Sequence, residues 1–388
     1  MKNKVLQFGE GNFLRCFIDW MVQRMNERAG FDGAVQIIQP RGTELNAVSR
    51  VLNARGGRYH VCFRGVIGGE TVEELGEVTC VRGVDLAANL EKYAADPDLR
   101  FVVSNTTEAG IQYVKGADTF PAKVLRLLKA RCAAGLPGLV FIPCELIEHN
   151  GDNLRHCVLQ HLADESNNPN NQSIKHYVED ECVFCSTLVD RIVAGRPDPE
   201  SAERYAAQLG ERDETLVCGE PFHFFVIETP KGFDLEAELP LRAAGVNVVY
   251  TPDMQPYRTR KVRFLNATHT TMVYLGLEKG FTEVAQCLAD PDFSAFVRKV
   301  VFEEIFPTVD LPDEEKRDYA ASVLERFANP FAHHQLKSIA LNTIAKWKTR
   351  CLPVVCDYSR QFGKLPEAMM EGYAAIARHY DGVEKLKG

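Results

Sequence analysis

The sequence of 388 residues has no long apolar run and no excess of basic side chains. Because no 18 consecutive residues are apolar, we expect no membrane-spanning helix and no membrane partner. The 45 lysine and arginine residues face 53 aspartate and glutamate residues, and the formal net charge of −8 argues against a nucleic-acid binder. The hydrophobic share of 45% excludes a disordered chain, so we expect a folded protein with a large core.

A disulfide framework and a metal-binding motif are also missing. Twelve cysteines are scattered along a long chain that begins at Met1 without a secretory leader, so we expect reduced thiols and a cytoplasmic protein. Cys182 and Cys185 have the CxxC spacing, but neither a second pair nor a nearby histidine completes a zinc set. We interpret both as ordinary buried thiols and predict no metal.

The usual nucleotide-binding loop is present only in part. Val5–Phe8 predicts a strand and the amphipathic stretch Phe13–Arg28 predicts a helix. Gly9 and Gly11 between them let the backbone approach a pyrophosphate, although Leu14 stands where the third glycine is expected. The alternative is a plain strand-to-helix turn that binds no nucleotide. A phosphate-transferring enzyme is disfavoured, because the sequence lacks a Gly-Lys-Ser/Thr loop. The candidate cofactor-binding residues here are Phe8, Gly9, Gly11, Asn12 and Phe13.

An acidic residue after the second strand is missing as well. Val35–Gln39 predicts that strand, and the residue following it ordinarily binds the ribose hydroxyls of NAD. The sequence instead reads Gln39-Pro40-Arg41, in which Arg41 is either a ligand of the 2′-phosphate of NADP or a solvated loop charge. Gln39 and Arg41 are therefore candidate cofactor-binding residues, and the choice between NAD and NADP stays open.

Two further apolar runs, Phe101–Ser104 and Gly138–Ile142, predict buried parallel strands. Small and polar residues at the carboxyl end of a parallel strand line the ligand site of a doubly wound sheet. The same residues are also typical of a loop that opens and caps a helix, and we leave both interpretations open. The candidate cofactor-binding residues after the first of these strands are Ser104, Asn105, Thr106 and Glu108.

The order of these patterns predicts an α/β fold, in which a Rossmann-like doubly wound sheet domain is followed by a mainly α-helical C-terminal domain. We expect the nucleotide-binding domain over residues 1–170, with contributions from about 215–255. A connecting helical region is expected over 171–214, and a mainly helical substrate-binding and catalytic domain over 256–388.

Alternation in Arg58–Val78 predicts an antiparallel hairpin inserted at the edge of the sheet. Phe222–Ile227 and Val246–Tyr250 predict strands that rejoin or flank the sheet. Periodicity predicts helices over Glu200–Leu209, Arg258–Lys279, Phe293–Ile305, Glu314–Phe327, Gln335–Lys348 and Leu365–Tyr380.

The helix predicted after Tyr257 carries three polar residues on its apolar face. At roughly 100° per residue, Lys261, Asn266 and His269 fall on the side that also carries apolar residues. Burying a lysine there is costly unless it is paired or loses its proton, so the arrangement indicates a cleft. A desolvated lysine exchanges protons near neutral pH, an asparagine amide donates to a developing alkoxide, and a histidine orients a substrate oxygen.

Each of these residues taken singly has a simpler interpretation. A lone lysine on a helix usually extends to solvent, and a lone asparagine or histidine is usually a hydrogen-bonded core residue. The three together favour a functional site. We expect Arg260, Arg263 and Thr270 to form the solvated face of the same helix.

With these residues identified, the sequence resembles the mannitol dehydrogenase family, the long-chain polyol and sugar-acid dehydrogenases. The pattern Lys261-x-x-x-x-Asn266-x-x-His269 matches the family signature. Phe8 to Arg15 is similar to the nucleotide loop of the family, which lacks the third glycine, and residues 186–192 and 220–228 resemble further family segments. The resemblance covers the chain from residue 5 to about 353.

The resemblance implies a metal-free hydride transfer between a nicotinamide and the keto carbon of a uronate, for example from D-tagaturonate to D-altronate in hexuronate metabolism. Lys261 would be the general acid and base, with Asn266 as oxyanion donor. Where members often read Cys-Asp-Asn before a later Asn-Gly, this chain has Cys144-Glu145-Leu146 but keeps Asn150-Gly151, so Asn150 is the candidate for the second asparagine of the family. A substrate carboxylate needs a cation, for which the candidates are Arg191, Lys337, Lys346 and Arg350.

The implied cofactor is NAD, with NADP left open, and the implied partner is a small-molecule keto-sugar acid. Fructuronate, fructose and mannitol are alternative substrates within the same family. A non-catalytic nucleotide-binding protein is the alternative from a different class. The sequence does not determine the oligomeric state.

Overall fold

The protein is represented by a computed structural model that describes residues 1–107, 109–165 and 170–380. The chain divides into two compact units. The first comprises Met1–Phe63 and Glu73–Met254, and the second comprises Arg64–Val72 and Gln255–Gly388. None of the described helices combines the length and the apolar character needed to cross a membrane.

A six-stranded parallel sheet forms the centre of the first unit. The strands in chain order are β1 (Lys2–Phe8), β2 (Gly33–Gln39), β3 (Tyr59–Ile67), β4 (Glu70–Val78), β5 (Val81–Leu86), β6 (Phe101–Ser104), β7 (Val140–Pro143), β8 (Val183–Phe184), β9 (Ser186–Asp190), β10 (Val193–Gly195), β11 (Val217–Gly219), β12 (Phe224–Glu228) and β13 (Val248–Thr251). The central sheet has the order β5-β2-β1-β6-β7-β8, and the pairings are parallel. This is the strand order of a Rossmann fold, so the predicted fold class is confirmed.

Both faces of this sheet are buried. Phe101 and Val103 of β6 belong to one apolar cluster, whereas Val102 between them belongs to another. Successive side chains of a strand point to opposite faces, so near-continuous apolar runs such as β6 are required by a sheet covered on both sides.

The remaining strands form two smaller sheets. The predicted hairpin was placed correctly in the sequence but wrongly at the edge of the central sheet, because β5 pairs with β2 there. The hairpin strands β3 and β4 instead belong to a four-stranded sheet, β10-β11-β3-β4. β12 and β13 flank the central sheet in a three-stranded sheet with β9. Residues 171–214, which we expected to be helical, also contain β8, β9 and β10.

The helices of the first unit pack against the sheets. They are α1 (Asn12–Leu14), α2 (Trp20–Arg28), α3 (Ala47–Ala54), α4 (Glu91–Ala94), α5 (Phe120–Ala133), α6 (Asn150–Asp164), α7 (Asn171–His176), α8 (Pro199–Leu209) and α9 (Leu235–Glu238). A π-helical turn, Arg15–Asp19, joins α1 to α2, so the predicted helix after the glycine loop is continuous.

The second unit is helical over the described part of residues 255–388. Its helices are α10 (Gln255–Lys261), α11 (Thr268–Glu278), α12 (Val284–Ala289), α13 (Pro291–Lys299), α14 (Asp313–Phe327), α15 (Leu336–Ile339), α16 (Thr343–Lys346), α17 (Leu352–Phe362) and α18 (Glu367–Tyr380). The single helix predicted over Gln335–Lys348 is wrong, because Asn342 has a φ of 56° and separates α15 from α16. A left-handed residue cannot continue an α-helix.

Candidate active site

The glycine loop lies between the ends of three strands of the central sheet. Gly9 has a φ of 118°, and a Cβ atom there would lie 3.2 Å from the carbonyl oxygen of Asn105. Its N–H donates to the carbonyl of Ile38, so the loop contacts the ends of both β2 and β6. Only glycine satisfies this backbone angle and this close approach without strain.

The helix that follows presents an open N-terminus. Gly11 is its N-cap and supplies no side-chain hydrogen bond to the first turn. The Asn12 side chain accepts a hydrogen bond of 2.7 Å from Arg15, so it stabilises the start of the helix. A glycine turn followed by uncapped N–H groups fits the pyrophosphate of a dinucleotide, whose negative charge is stabilised there.

Gln39 builds the loop after β2. Its side chain is 4% exposed, and its amide donates to the carbonyls of Arg41 at 2.7 Å and Glu44 at 2.9 Å. Its oxygen accepts from the N–H of Asn46 and from the Ser49 hydroxyl. The Gln39 amide is therefore occupied by protein groups, while the Arg41 side chain is exposed.

The loop after β6 is held by a carboxylate that sequence reasoning did not select. Glu145 is 2% exposed and accepts hydrogen bonds from the Ser104 hydroxyl and from the N–H and hydroxyl of Thr106. Burial raises the pKa of Glu145, and the hydrogen bonds from Thr106 oppose that rise. A cavity of about 580 Å³ opens beside this loop, lined by Phe13, Asn105, Thr107, Ala109, Glu145, Leu146 and Val189.

This cavity brings together two of the predicted cofactor segments. Phe13 comes from the start of the first helix and Asn105 from the end of β6. The cavity thus lies at the carboxyl ends of the parallel strands, where open α/β sheets bind their ligands. Glu108, another predicted cofactor residue, lies outside the described residues.

Asn150 is fully buried at the start of α6. Its amide nitrogen donates to the carbonyls of Pro143, Glu145 and Thr187 at 3.0, 3.0 and 3.2 Å, and its oxygen accepts from the Thr187 N–H at 2.8 Å. The side chain therefore connects the end of β7 to β9. Its role as an oxyanion donor stays a prediction.

Arg191, a candidate for the substrate carboxylate, is also buried in the first unit. Its guanidinium donates to the carbonyls of Phe222, Cys16 and Pro221 at 3.1, 2.7 and 3.3 Å. It also lies 4.3 Å from the ring centre of Trp20 and 4.2 Å from that of Phe63. Burial lowers the pKa of Arg191 to about 10. These contacts indicate that Arg191 stabilises the folded first unit.

The helix of the predicted catalytic residues is continuous but not regular. A π-helical turn, Val262–Ala267, connects α10 to α11 and contains Asn266. π-turns are rare and occur frequently at functional sites. The extra residue in the turn changes which side chains share a face. A helical wheel drawn at roughly 100° per residue throughout therefore describes this helix only approximately.

The expected solvated face of this helix is wrong for two residues. Arg260 is 6% exposed and Thr270 is 1% exposed. Arg260 lies 4.3 Å from the ring centre of Tyr319, so its positive charge is stabilised by an aromatic face. Thr270 donates its hydroxyl to the Asn266 carbonyl at 2.9 Å. The helix is buried on more than one side because other helices of the unit surround it.

His269 lies in an aromatic and cationic surrounding. Its ring stacks on Phe327 at 4.0 Å between ring centres and meets His334 edge-on at 4.8 Å. Its Nε2 atom is buried and has no hydrogen-bond partner among the described residues. Burial, followed by His334 and the nearby cations, holds the pKa of His269 well below its ordinary value. An unpartnered, neutral imidazole is available to a ligand.

Three cations surround these two histidines. Arg326, Lys346 and Arg350 each lower the pKa of His269, and Arg326 and Lys346 also lower that of His334. Burial lowers the pKa of both Lys346 and Arg350. Within the described chain, no carboxylate forms an ion pair with Lys346 or Arg350, and Lys346 donates to the carbonyl of Ile339 at 2.8 Å. The cluster therefore has positive charge to offer to an anion.

The other predicted carboxylate ligand in this unit, Lys337, is exposed on α15. Lys261 and Asn266 are both partly buried, in contrast to His269. Sequence reasoning missed Arg326 and His334 as part of the cationic cluster, since neither shares a helix with His269. The available signal was that both residues lie within the span of the family resemblance, from residue 5 to about 353.

Two expected absences concern metals and disulfides. Among residues 1–107, 109–165 and 170–380, no group of three or more His, Cys, Asp or Glu side chains is arranged to hold a metal ion. Cys182 and Cys185 are free, and burial raises their pKa values to about 11 and about 12. Thiols with raised pKa values are poorly reactive.

The Rossmann-type sheet and its glycine loop are those of a dinucleotide-binding fold. The sequence matches the mannitol dehydrogenase Rossmann domain over residues 3–240 and the mannitol dehydrogenase C-terminal domain over residues 253–387. The chain therefore belongs to the mannitol dehydrogenase family, as its motifs predicted. It is a nicotinamide-dependent enzyme that acts on CH–OH groups.

Curated relatives are similar over nearly the whole chain. Altronate oxidoreductase of Bacillus subtilis (strain 168) is 40% identical over 99% of this chain and 81% of its own length. Altronate oxidoreductase of Yersinia enterocolitica is 39% identical over 98% of this chain and 80% of its own length. The chain is thus related to polyol and sugar-acid dehydrogenases.

Solved structures show the same fold at low sequence identity. A substrate-free D-sorbitol dehydrogenase has a TM-score of 0.82 and 22% identity, covering 98% of this chain and 81% of its own. A Pseudomonas fluorescens mannitol 2-dehydrogenase in ternary complex with NAD and D-mannitol has a TM-score of 0.75 and 22% identity, covering 99% of this chain and 80% of its own.

Proposed function

We propose that the protein catalyses the reversible, NAD-dependent reduction of D-tagaturonate to D-altronate. The cationic cluster around His269 carries the proposal, because a uronate differs from a neutral keto-sugar by its carboxylate. The relatives named altronate oxidoreductase, at about 40% identity, support the same substrate.

We assign cofactor binding to the N-terminal part of the chain and substrate binding to the C-terminal part. Residues 1–254 would hold the cofactor, with Gly9, Gly11, Asn12, Phe13 and the loop from Ser104 to Thr106 as its contacts. The nicotinamide, when bound, supplies the hydride that is added to the keto carbon. Residues 255–388 would hold and protonate the substrate.

Lys261 is the proposed general acid and base. In reduction its ammonium gives a proton to the oxygen of the former carbonyl, so that hydride and proton together convert C=O to CH–OH. In oxidation the neutral amine takes that proton back. Asn266 would stabilise the alkoxide by donating from its amide, and His269 would orient the same oxygen through Nε2.

Lys346 and Arg350 are the proposed partners of the substrate carboxylate. Both are desolvated, and neither pairs with a described carboxylate. An incoming carboxylate would therefore meet cations that are already partly dehydrated in the folded protein, and charge-assisted hydrogen bonds to it would be strong. Arg326 would complete the positive surrounding, and His334, whose pKa is lowered by burial and by these cations, would be a neutral neighbour.

A substrate panel tests the proposal. Steady-state oxidation of NADH is measured with tagaturonate, fructuronate and fructose at equal concentrations. We expect tagaturonate to give the highest kcat/KM and fructose the lowest. A higher kcat/KM with fructuronate would reassign the substrate, and NADH binding without turnover of any of the three would contradict the enzymatic proposal.

A further inference from the structure

The acidic residue that selects NAD in a Rossmann fold ordinarily follows the second strand, and this chain has none there. Gln39 occupies the end of β2, and its amide is used by the protein. A group that discriminates NAD from NADP must therefore reach the end of β2 from another segment. Glu10, between the two glycines of the glycine loop, contacts the loop after β2 through Asn46.

Asn46 holds the Glu10 carboxylate against the loop after β2. The Asn46 amide nitrogen donates to Glu10 Oε1 at 2.6 Å, although the two residues are 36 positions apart. Asn46 is itself fixed, because its N–H donates to the Gln39 oxygen at 2.9 Å and its side chain caps α3 through the Ser49 N–H. A chain of hydrogen bonds thus runs from the end of β2 to Glu10.

The backbone of Glu10 is fixed as well. Its carbonyl accepts a hydrogen bond from Arg15 Nε at 3.1 Å, and Arg15 is anchored by the Thr215 carbonyl. Its second carboxylate oxygen, Oε2, accepts no hydrogen bond from any residue that the structure describes. The side chain is half-buried and forms no ion pair with a described lysine or arginine. Glu10 therefore presents a positioned acceptor and an unneutralised charge.

We propose that Glu10 is the specificity residue for the cofactor, accepting hydrogen bonds from the adenosine ribose hydroxyls and repelling a 2′-phosphate. The glycine loop receives the pyrophosphate and the end of β2 receives the ribose, so a carboxylate that connects the two segments lies between these subsites. Like charges placed together in a binding site disfavour the wrong ligand. The inference rests on the proposed use of NAD and concerns binding alone.

The test is the ratio of two dissociation constants. Fluorescence titrations give Kd for NADH and NADPH with the wild-type protein and with Glu10→Gln, in the absence of any sugar acid. We expect the wild type to bind NADH more tightly, and Glu10→Gln to shift the ratio roughly tenfold toward NADPH, the size expected for one lost hydrogen bond to a charged group. Glu44→Gln is the matched control, because it removes one charge from the same loop and should leave the ratio within about twofold of wild type.

Two further variants keep the inference falsifiable. Asn46→Ser retains an oxygen that caps α3 but loses the amide that holds Glu10, so its ratio should move in the same direction as that of Glu10→Gln. Arg41→Ala tests the alternative in which Arg41 binds the 2′-phosphate of NADP. A ratio within twofold of wild type in Glu10→Gln, an equal shift in Glu44→Gln, or a wild-type preference for NADPH that Arg41→Ala abolishes would overturn the proposal.

The two proposals fail separately. Discrimination by Glu10 measured in binding stands even if tagaturonate is not turned over. Turnover of tagaturonate stands even if Glu10→Gln leaves cofactor discrimination unchanged.

Discussion

Cations that are withdrawn from solvent differ between the two units in how many hydrogen-bond partners they have. Arg131 and Arg191 of the first unit donate to backbone carbonyls, four in the case of Arg131 and three in the case of Arg191. Lys346 and Arg350 of the second unit are partly buried, and neither pairs with a described carboxylate. Lys346 donates to a single carbonyl, that of Ile339, and Arg350 has no hydrogen bond to a described residue.

This difference teaches that burial of a cation is not by itself a sign of a binding site. An arginine whose three nitrogens each donate to a carbonyl closes loops and holds strands together, and its guanidinium is held by the protein before any ligand arrives. A cation that is desolvated without such partners carries an electrostatic cost that a ligand carboxylate can offset. Arg191 and Arg350 were equal candidates in the sequence, and their surroundings separate them.

The largest effect is expected at the cation to which we assign proton transfer. Lys261→Ala should lower kcat for tagaturonate reduction roughly 10³-fold, the range for loss of a general acid. NADH should still bind with Kd within about twofold of wild type, because Lys261 is not in the nucleotide-binding unit. Stopped-flow turnover and fluorescence titration measure the two quantities, and a variant that keeps a tenth of the wild-type kcat would refute the assignment.

A structural arginine should act on stability. Arg191→Met leaves three carbonyls without their donor, and we expect the free energy of unfolding to fall by about 3 kcal/mol. The KM for tagaturonate should stay close to wild type in the protein that remains folded. Urea unfolding followed by circular dichroism gives the first value. An increase of KM above tenfold with unchanged stability would place Arg191 among the substrate contacts.

A ligand-facing arginine should act on the substrate instead. Arg350→Met should lower kcat/KM for tagaturonate by about 30-fold, mainly through KM, and should leave the free energy of unfolding unchanged or slightly increased. Lys337→Met is the matched control, since Lys337 is exposed on the neighbouring α15 and should change kcat/KM less than about twofold. Equal losses in both variants would mean that general charge, and not position, attracts the substrate.

A partly buried histidine of the first unit, His223, should give the smallest effect, on the pH dependence of stability. Burial lowers the pKa of His223 to about 4, and its Nε2 accepts from the Asn247 N–H at 3.0 Å. The unfolded chain takes up this proton near pH 6.5 and the folded chain does not, so stability falls as the pH decreases from about 6.5 to about 4.

For His223, which is partly exposed, we expect this loss to amount to about 1–2 kcal/mol. Chemical unfolding at several pH values should show a shallower dependence in His223→Gln than in the wild type. An identical slope in both proteins would show that His223 does not contribute, and the lowered pKa values of His269 and His334 would then account for the acid sensitivity.

The sequence allowed prediction of the elements whose signal is local. β1, β2 and β6 are apolar runs, and the helix of Lys261 has a clear period, so their types followed from composition and spacing. β5 was missed because Arg82, Gly83 and Asp85 interrupt its apolar residues, and β8 was missed because it has only two residues. The break at Asn342 depends on one backbone angle, for which helical propensity gives no warning.

The residues of the candidate site also divide into those that a local sequence pattern predicts and those that only tertiary packing brings together. Lys261, Asn266 and His269 lie within one helix, so their pattern was visible in nine consecutive residues. Arg326 and His334 reach His269 only through the packing of separate helices. Glu10 and Asn46 meet because the glycine loop after β1 lies beside the loop after β2. Contacts of this kind depend on tertiary structure and leave no periodic trace in the sequence.

The π-turn at Val262–Ala267 makes the length of this helix as important as its composition. A π-turn accommodates one residue more than the α-helical turn it replaces. Because the extra residue is accommodated within the turn, its deletion would leave a regular α-helix in which the residues on either side keep their places. A deletion in a regular part of the helix would instead rotate the residues after it by roughly 100°. We therefore expect this helix to tolerate a change of length within the turn better than one outside it.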